Sequence, residues 1–322
     1  MISRKLLVAV AACGALALGI AACGGDDNSG GGGSGLSGTI KMDGSSTVFP
    51  FAQAAAEKFQ EENPDVEITV GEAGTTGGFE KFCAGETDIS DASRPIEGPE
   101  KKACADKGIK YGDFQVANDG ISIVTNPAIE LSCLSTDQLK QLWDEGSTVK
   151  NLDELGKDPE TGDPLPSAEL SLFGPGTDSG TFDYFTETIN GVEGQSRKDY
   201  QPSEDDNVLV EGVAGDSGGL GYFGFSYYEQ NQDKLNLVSV ADGSSGKCVA
   251  PSAETIQSGE YSPLSRPLFM YPSDEAAKRP EVDAFIKYIA DNYKDIADQA
   301  FIVPMDSGQA SKAKSDADAI AG

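Results

Sequence analysis

Three segments of the sequence place small hydroxyl residues and glycine between a β-like stretch and an apolar helical pattern. They are Asp43-Gly44-Ser45-Ser46-Thr47-Val48-Phe49-Pro50, Gly74-Thr75-Thr76-Gly77-Gly78 and Gly176-Thr177-Asp178-Ser179-Gly180-Thr181. A strand–turn–helix of this composition leaves backbone N–H groups without partners at the positive end of a helix, beside hydroxyl donors. That is an anion-binding arrangement. Glycine lets the backbone approach the ligand closely. Any one segment alone reads as an ordinary N-cap. Three together in an open α/β sheet gather at the carboxyl edge of the strands, where ligands bind. A fourth segment, Ser90-Asp91-Ala92-Ser93-Arg94-Pro95, carries one of the four arginines that follow the leader. A guanidinium there either clamps a tetrahedral oxyanion through two parallel hydrogen bonds or pairs with a carboxylate.

Composition narrows the chemistry. The 322 residues include no histidine, which excludes His-based nucleophilic triads and His-ligated zinc or haem. A formal charge of −29 argues against nucleic acid, whose phosphates need a basic surface. No Gly-x-x-x-x-Gly-Lys-[Ser/Thr] motif is present, and Gly215-x-x-Gly218-Gly219-x-Gly221 has the wrong spacing for a dinucleotide loop. No Cys-x-x-Cys spacing indicates metal or thioredoxin-like chemistry. Neither a cofactor nor a metal nor a catalytic residue is expected.

The elements that must position these segments read as α/β. Thr39–Met42, Val66–Val70, Asp88–Ser90, Lys110–Val116, Gly120–Thr125, Leu170–Phe173 and Arg266–Tyr271 are expected as strands. Pro50–Glu62 repeats Phe51, Ala55 and Phe59 at helical spacing, with Pro50 suited to a first turn. Glu100–Lys107, Ser135–Trp143, a stretch around Asp206–Val213 and Pro280–Asn292 are further helices, and Ser135-x-x-Gln138 is a capping box. This alternation predicts a mainly parallel sheet covered by helices on both faces. The small, polar residues from Ser307 onward are expected to fray.

The N-terminus indicates export. Arg4 and Lys5 precede the apolar run Leu6–Ala22, which ends in Ile20-Ala21-Ala22-Cys23, a pattern resembling the bacterial lipoprotein signal with Cys23 as the lipid-modified residue. The competing reading is a transmembrane anchor. The Gly-rich stretch 23–36 is a flexible tether. Removing residues 1–22 takes away two basic residues and no acidic one, so the charge goes from −29 to −31. Cys83, Cys104, Cys133 and Cys248 then remain and can pair in three ways; proximity favours Cys83–Cys104, leaving Cys133–Cys248.

Gly44–Pro50, Asp88–Pro95, Gly176–Thr181, Asp206–Val210 and Pro263–Leu268 together resemble the phosphate-binding protein of the bacterial ABC-type phosphate importer, the PstS family. The resemblance runs through the chain after the tether. It implies a two-domain periplasmic-binding-protein-like fold whose hinge closes the domains over one phosphate in the cleft, with no turnover. By position it implies phosphate contacts from Ser46, Thr47, Val48 and Phe49, from Thr75 and Thr76, and from Ser179, Gly180 and Thr181. Two positions depart from the best-known members: Ser93 stands where they carry a proton-accepting Asp, and Pro175 where they carry an Arg. The expectation is that the two roles have exchanged segments, Arg94 beside Ser93 supplying the clamp and Asp178 beside Ser179 accepting the ligand's proton. Domain I is expected at 37–114 plus 266–322 and domain II at 115–265. The implied partners are inorganic phosphate, the transmembrane subunits of an ABC permease and, through the lipid anchor, the outer face of the cell membrane, with the protein a monomer. A serine or threonine phosphohydrolase, a receptor for another oxyanion such as sulfate, and a structural lipoprotein are the competing readings.

Overall fold

The computed structural model describes residues 35–177, 179–243 and 246–321. The expected leader 1–22, Cys23, most of the Gly-rich stretch and Asp178 lie outside the described residues. The first half of the alternation follows the sequence pattern: β1 (Gly38–Gly44), α1 (Phe49–Glu62), β2 (Val66–Val70), α2 (Gly74–Ala84), β3 (Ile89–Ala92) and α3 (Gly98–Lys107). β1 runs parallel to β2 on one side and β3 on the other. The apolar face of α1 buries Phe51, Ala55 and Phe59, as a 3.6-residue period requires.

β4 (Phe114–Thr125) is one continuous strand where two short ones are expected. Asn118 and Asp119 interrupt its apolar run yet are buried, so the pattern breaks while the backbone continues. After it come β5 (Cys133–Ser135), α4 (Thr136–Trp143), β6 (Ser171–Pro175), α5 (Gly180–Phe185) and β7 (Gln201–Ser203). The Ser135 hydroxyl accepts from the Gln138 N–H, and the Gln138 side chain returns to the Ser135 N–H. α6 (Asp206–Gly215), β8 (Gly219–Gly224), α7 (Phe225–Glu229), β9 (Asn236–Ala241), β10 (Cys248–Val249) and α8 (Ala253–Gln257) follow. The chain then returns through β11 (Ser265–Pro272), α9 (Asp274–Ala277), α10 (Pro280–Gln299) and α11 (Ser307–Ala321).

The strand order is β2-β1-β3-β11-β4-β8-β6-β7, with β9 joined to β4, β5 and β10. The sheet is mixed, not mainly parallel. β11 lies antiparallel to both β3 and β4, and β4 lies antiparallel to β8 and β9. The reason is the path of the chain: β4 leaves the first half of the molecule and β11 brings it back, so the two run in opposite senses side by side. β4 pairs with β11 as far as Gly120 and with β8 from Ile121 onward. Two hydrophobic cores flank this crossing. One packs α1 and α10 on β1, β4 and β11 around Phe51, Phe59 and Phe285; the other gathers Trp143, Phe185, Tyr222 and Val238.

The C-terminal segment is a further correction. It does not fray: α11 packs on α10 and β4, burying Ala313 and Ala317. Small alanines at helical spacing make the close approach and leave little hydrophobic signal.

Disulfides join Cys83 to Cys104 between α2 and α3, and Cys133 to Cys248 between β5 and β10. Their sequence separations are 21 and 115 residues. Constraint of the unfolded chain grows with the logarithm of loop length, giving about 3 kcal/mol for the shorter bridge and about 5 kcal/mol for the longer. Urea unfolding of the two paired Cys→Ser variants should therefore show the larger loss for Cys133/Cys248. An equal or reversed order would contradict this.

Candidate anion-binding site

The β1–α1 turn is shaped by a close backbone approach. At Gly44, φ is 155°, and a Cβ there would lie 2.0 Å from the Asp91 carbonyl oxygen, so only glycine fits. The Ser45 N–H donates to that carbonyl at 2.9 Å, fixing the turn to the end of β3. Ser46 and Thr47 face a cavity of about 120 Å³. Val48 and Phe49 do not line it; their N–H groups donate back to the Ser45 carbonyl at 3.1 and 3.0 Å.

The second segment begins its helix earlier than the apolar pattern suggests. α2 starts at Gly74, ahead of the short helix that the apolar residues around Phe79–Cys83 predict, so Thr75 and Thr76 occupy its first turn. The N–H groups of Gly74, Thr75 and Thr76 consequently have no intrahelical acceptor, and these residues line the same cavity. The segment is held in place by Asp43, whose carboxylate accepts from the Ala73 N–H at 2.9 Å and from Lys81 Nζ at 2.5 Å. Thr75 Oγ1 and Ser93 Oγ are 3.0 Å apart, and the Ser93 N–H donates to Thr75 Oγ1 at 3.2 Å. The second and fourth segments thus form one wall.

Arg94 reaches this wall with its terminal nitrogens already engaged. Nη2 donates to Glu100 Oε1 at 2.7 Å and to Thr76 Oγ1 at 3.0 Å; Nη1 donates to Glu100 Oε2 at 3.0 Å and to the Pro95 carbonyl at 3.3 Å. The Glu100 hydrogen bond raises the Arg94 pKa further above its ordinary value.

The opposite wall comes from α5 and the residues after it: Asp183, Tyr184, Glu187 and Glu193. Ser46 Oγ donates to Asp183 Oδ2 at 3.1 Å, and Thr47 Oγ1 donates to the Gly180 carbonyl at 3.2 Å. The first and third segments therefore touch directly. Burial, reinforced by Asp183 and Glu187, pushes the Glu193 carboxyl above the usual range. Ser179, Gly180 and Thr181 line a neighbouring cavity of about 290 Å³, which shares Ser46 and Thr47 with the first. Asp206 also lines it, and burial raises its pKa from 3.8 to about 7.

Arg266, which no motif reading assigned to the site, completes the first cavity. It stands directly opposite Asp119 in the β4–β11 register, with Nε 3.5 Å from Asp119 Oδ2. Its Nη2 donates to Thr47 Oγ1 at 2.6 Å, and its guanidinium carbon lies 3.5 Å from the centre of the Tyr184 ring. Its one sequence signal is an arginine inside an apolar strand of a chain poor in arginine. Among the described residues no cluster of three or more His, Cys, Asp or Glu could hold a metal ion, and no helix is long and apolar enough to cross a membrane.

The sequence matches a PBP superfamily domain over residues 30–292. It is 42% identical over 266 residues to Protein SphX of Synechococcus elongatus, covering 83% of this chain and 77% of that protein. It is 39% identical over 297 residues to the phosphate-binding protein PstS of Staphylococcus epidermidis, covering 91% of this chain and 87% of that one. Its fold resembles the crystal structure of a possible phosphate binding protein from Planctomyces limnophilus, with a TM-score of 0.81, 42% identity, and coverage of 89% of this chain and 100% of that chain.

Two outcomes follow from this geometry. A Cβ at Gly180 would sit 2.5 Å from the Thr47 nitrogen, so Gly180→Ala must push the first and third segments apart. Anion affinity, read by calorimetry, should fall by about tenfold or more, and an unchanged affinity would mean the contact is dispensable. Asp206 keeps a proton in the folded protein that the unfolded chain releases above its ordinary 3.8, so its contribution is complete below that pH and is lost as pH rises through about 7. Melting temperature followed from pH 4 to 8 should fall less steeply in Asp206→Asn than in wild type; parallel curves would contradict this.

Proposed function

The chain belongs to the PBP superfamily and, within it, to the PstS family of phosphate-binding proteins, and from that premise we propose that it captures inorganic phosphate outside the cytoplasm and delivers it to an ABC-type membrane permease. The fold is the two-domain binding-protein fold of its structural relatives, with the ligand cleft between the domains. The protein is a binding protein and not an enzyme, as its relatives are. The observation that carries the reading is one small cavity where the α2 N-terminus, the hydroxyls of Ser46, Thr47, Thr75, Thr76 and Ser93, and the side chains of Arg94 and Arg266 converge.

The anion is held by local donors. Amides at the end of an 11-residue helix cost little to aim at a ligand, because the fold has already fixed them, whereas the Ser46 and Thr47 hydroxyls turn to it only by leaving Asp183 and the Gly180 carbonyl. Carboxylates on the same cavity give discrimination. Asp183, Glu187 and Glu193 line the cavity, and one of them accepts a hydrogen bond from a ligand O–H, which phosphate carries at neutral pH and sulfate lacks. For sulfate the same oxygens face negative charge without a proton between, a penalty of about 1–3 kcal/mol or more. We assign lipid attachment to Cys23, with the Gly-rich tether giving the domains reach from the membrane. Ligand binding shifts the hinge towards closure, and the closed form docks on the permease.

Calorimetric titration with phosphate and with sulfate tests the reading. The mature protein should bind phosphate at least about fivefold more tightly than sulfate, the factor that corresponds to the lower penalty. Equal affinity for the two would contradict it.

A further inference from the structure

We propose that Arg266, rather than Arg94, is the arginine that grips the anion, and that its grip is assembled only when the two walls of the cavity meet. The inference rests on the phosphate reading and names the residue that carries its charge contact.

Four arginines lie among the described residues, and two of them are remote from the cavity. Arg197 is buried under Leu142 and Val149, donating to both carbonyls and to Asp199. Arg279 pairs with Asp88, the residue before β3, at 2.6 Å. Arg94 lines the cavity, but its two terminal nitrogens are satisfied by Glu100, Thr76 and the Pro95 carbonyl. To clamp a ligand it would first have to break a bidentate carboxylate pair, the strongest kind of side-chain hydrogen bonding available to it. Its role in this geometry is to position Thr76 on the α2 first turn.

Arg266 presents the opposite picture. Its side chain is 14% exposed, it lines the cavity, and its Nη1 donates to no described residue. Nε faces Asp119 at 3.5 Å but completes no hydrogen bond. A guanidinium held on three sides with one N–H edge uncommitted is preorganised for an oxyanion. The three supports come from different places. Asp119 is its cross-strand partner on β4, Thr47 belongs to the β1–α1 turn, and the Tyr184 ring belongs to α5. Tyr184 is itself anchored by its hydroxyl, which donates to the Pro263 carbonyl at 2.6 Å. Separation of the α5 wall from the β1–α1 turn removes either the ring or the Thr47 contact, and the arginine then loses its aim. The anion, by bridging Arg266 to the α2 amides, stabilises the arrangement that orients it.

Titration of the mature protein with inorganic phosphate tests this, comparing wild type with Arg266→Lys, Arg266→Gln and Arg94→Gln, alongside the melting temperature of each without phosphate. Arg266→Gln should lose about 30-fold or more in affinity, the scale for removing one partner of a buried charged contact. Arg266→Lys keeps the charge but not the planar fork; it should lose about tenfold while its phosphate-free melting temperature stays near wild type. Arg94→Gln should lose less than either. If Arg266→Gln does not fold, the lysine variant decides by the same criterion. Near-wild-type affinity in Arg266→Lys, or a larger loss in Arg94→Gln than in the Arg266 variants, would overturn the assignment. Absence of phosphate binding by wild type would instead overturn the phosphate reading itself.

Discussion

The site depends on one crossing. β4 and β11 run antiparallel through the middle of the molecule, and at Gly120 the pairing of β4 passes from β11 to β8. Asp119 and Arg266 stand opposite each other one residue before that change. A cross-strand register is all-or-none, since a shift of one residue sends every side chain to the other face. Burial of the pair therefore depends on the register, and the register depends on both cores. The pair is mostly shielded from water, with side-chain exposures of 14% and 11%. Burial pushes the Asp119 carboxyl up, and Arg266 opposes that rise. Removing either partner would strand a buried charge, which costs about 3–5 kcal/mol.

From the crossing outward, the remaining parts are local. Each wall is a strand-to-helix turn held by its own short-range contacts: Ser45 on Asp91, Ala73 on Asp43, Ser93 on Thr75. This explains how a chain with a formal charge of −29 can hold an anion. The donors act within hydrogen-bond range, whereas surface carboxylates act across water and salt that screen them beyond roughly 8 Å. The carboxylates that line the cavity, Asp183, Glu187 and Glu193, lie within the same short range, where the proposed function gives them the discrimination.

Much of this can be read from sequence where the physics is local. The α1 face, the β2 alternation and the Ser135–Gln138 box all follow from spacing within one or two turns. The hydroxyl-rich turns were legible for the same reason. What sequence hides is what distant register brings together. Thr47 and Arg266 are 219 positions apart, and although Arg266 lies in a segment that carries the family resemblance, nothing in its local spacing directs it to Thr47. Asn118 and Asp119 look like a break between two strands because they are polar, yet they are buried within one. α11 hides for the opposite reason: its contacts are made by alanine, which packs closely without a strong apolar period. The start of α2 at Gly74 was concealed by glycine and threonine, weak helix formers that serve the first turn because their amides face the cavity.

The most direct test is a crystal structure of the protein grown with phosphate. The anion should lie in the cavity bounded by Ser46, Thr75 and Ser93, within hydrogen-bond distance of the Thr75 and Thr76 amides and of Arg266 Nη1. Phosphate in the neighbouring cavity beside Asp206, or phosphate in the first cavity with Arg266 out of reach, would contradict it.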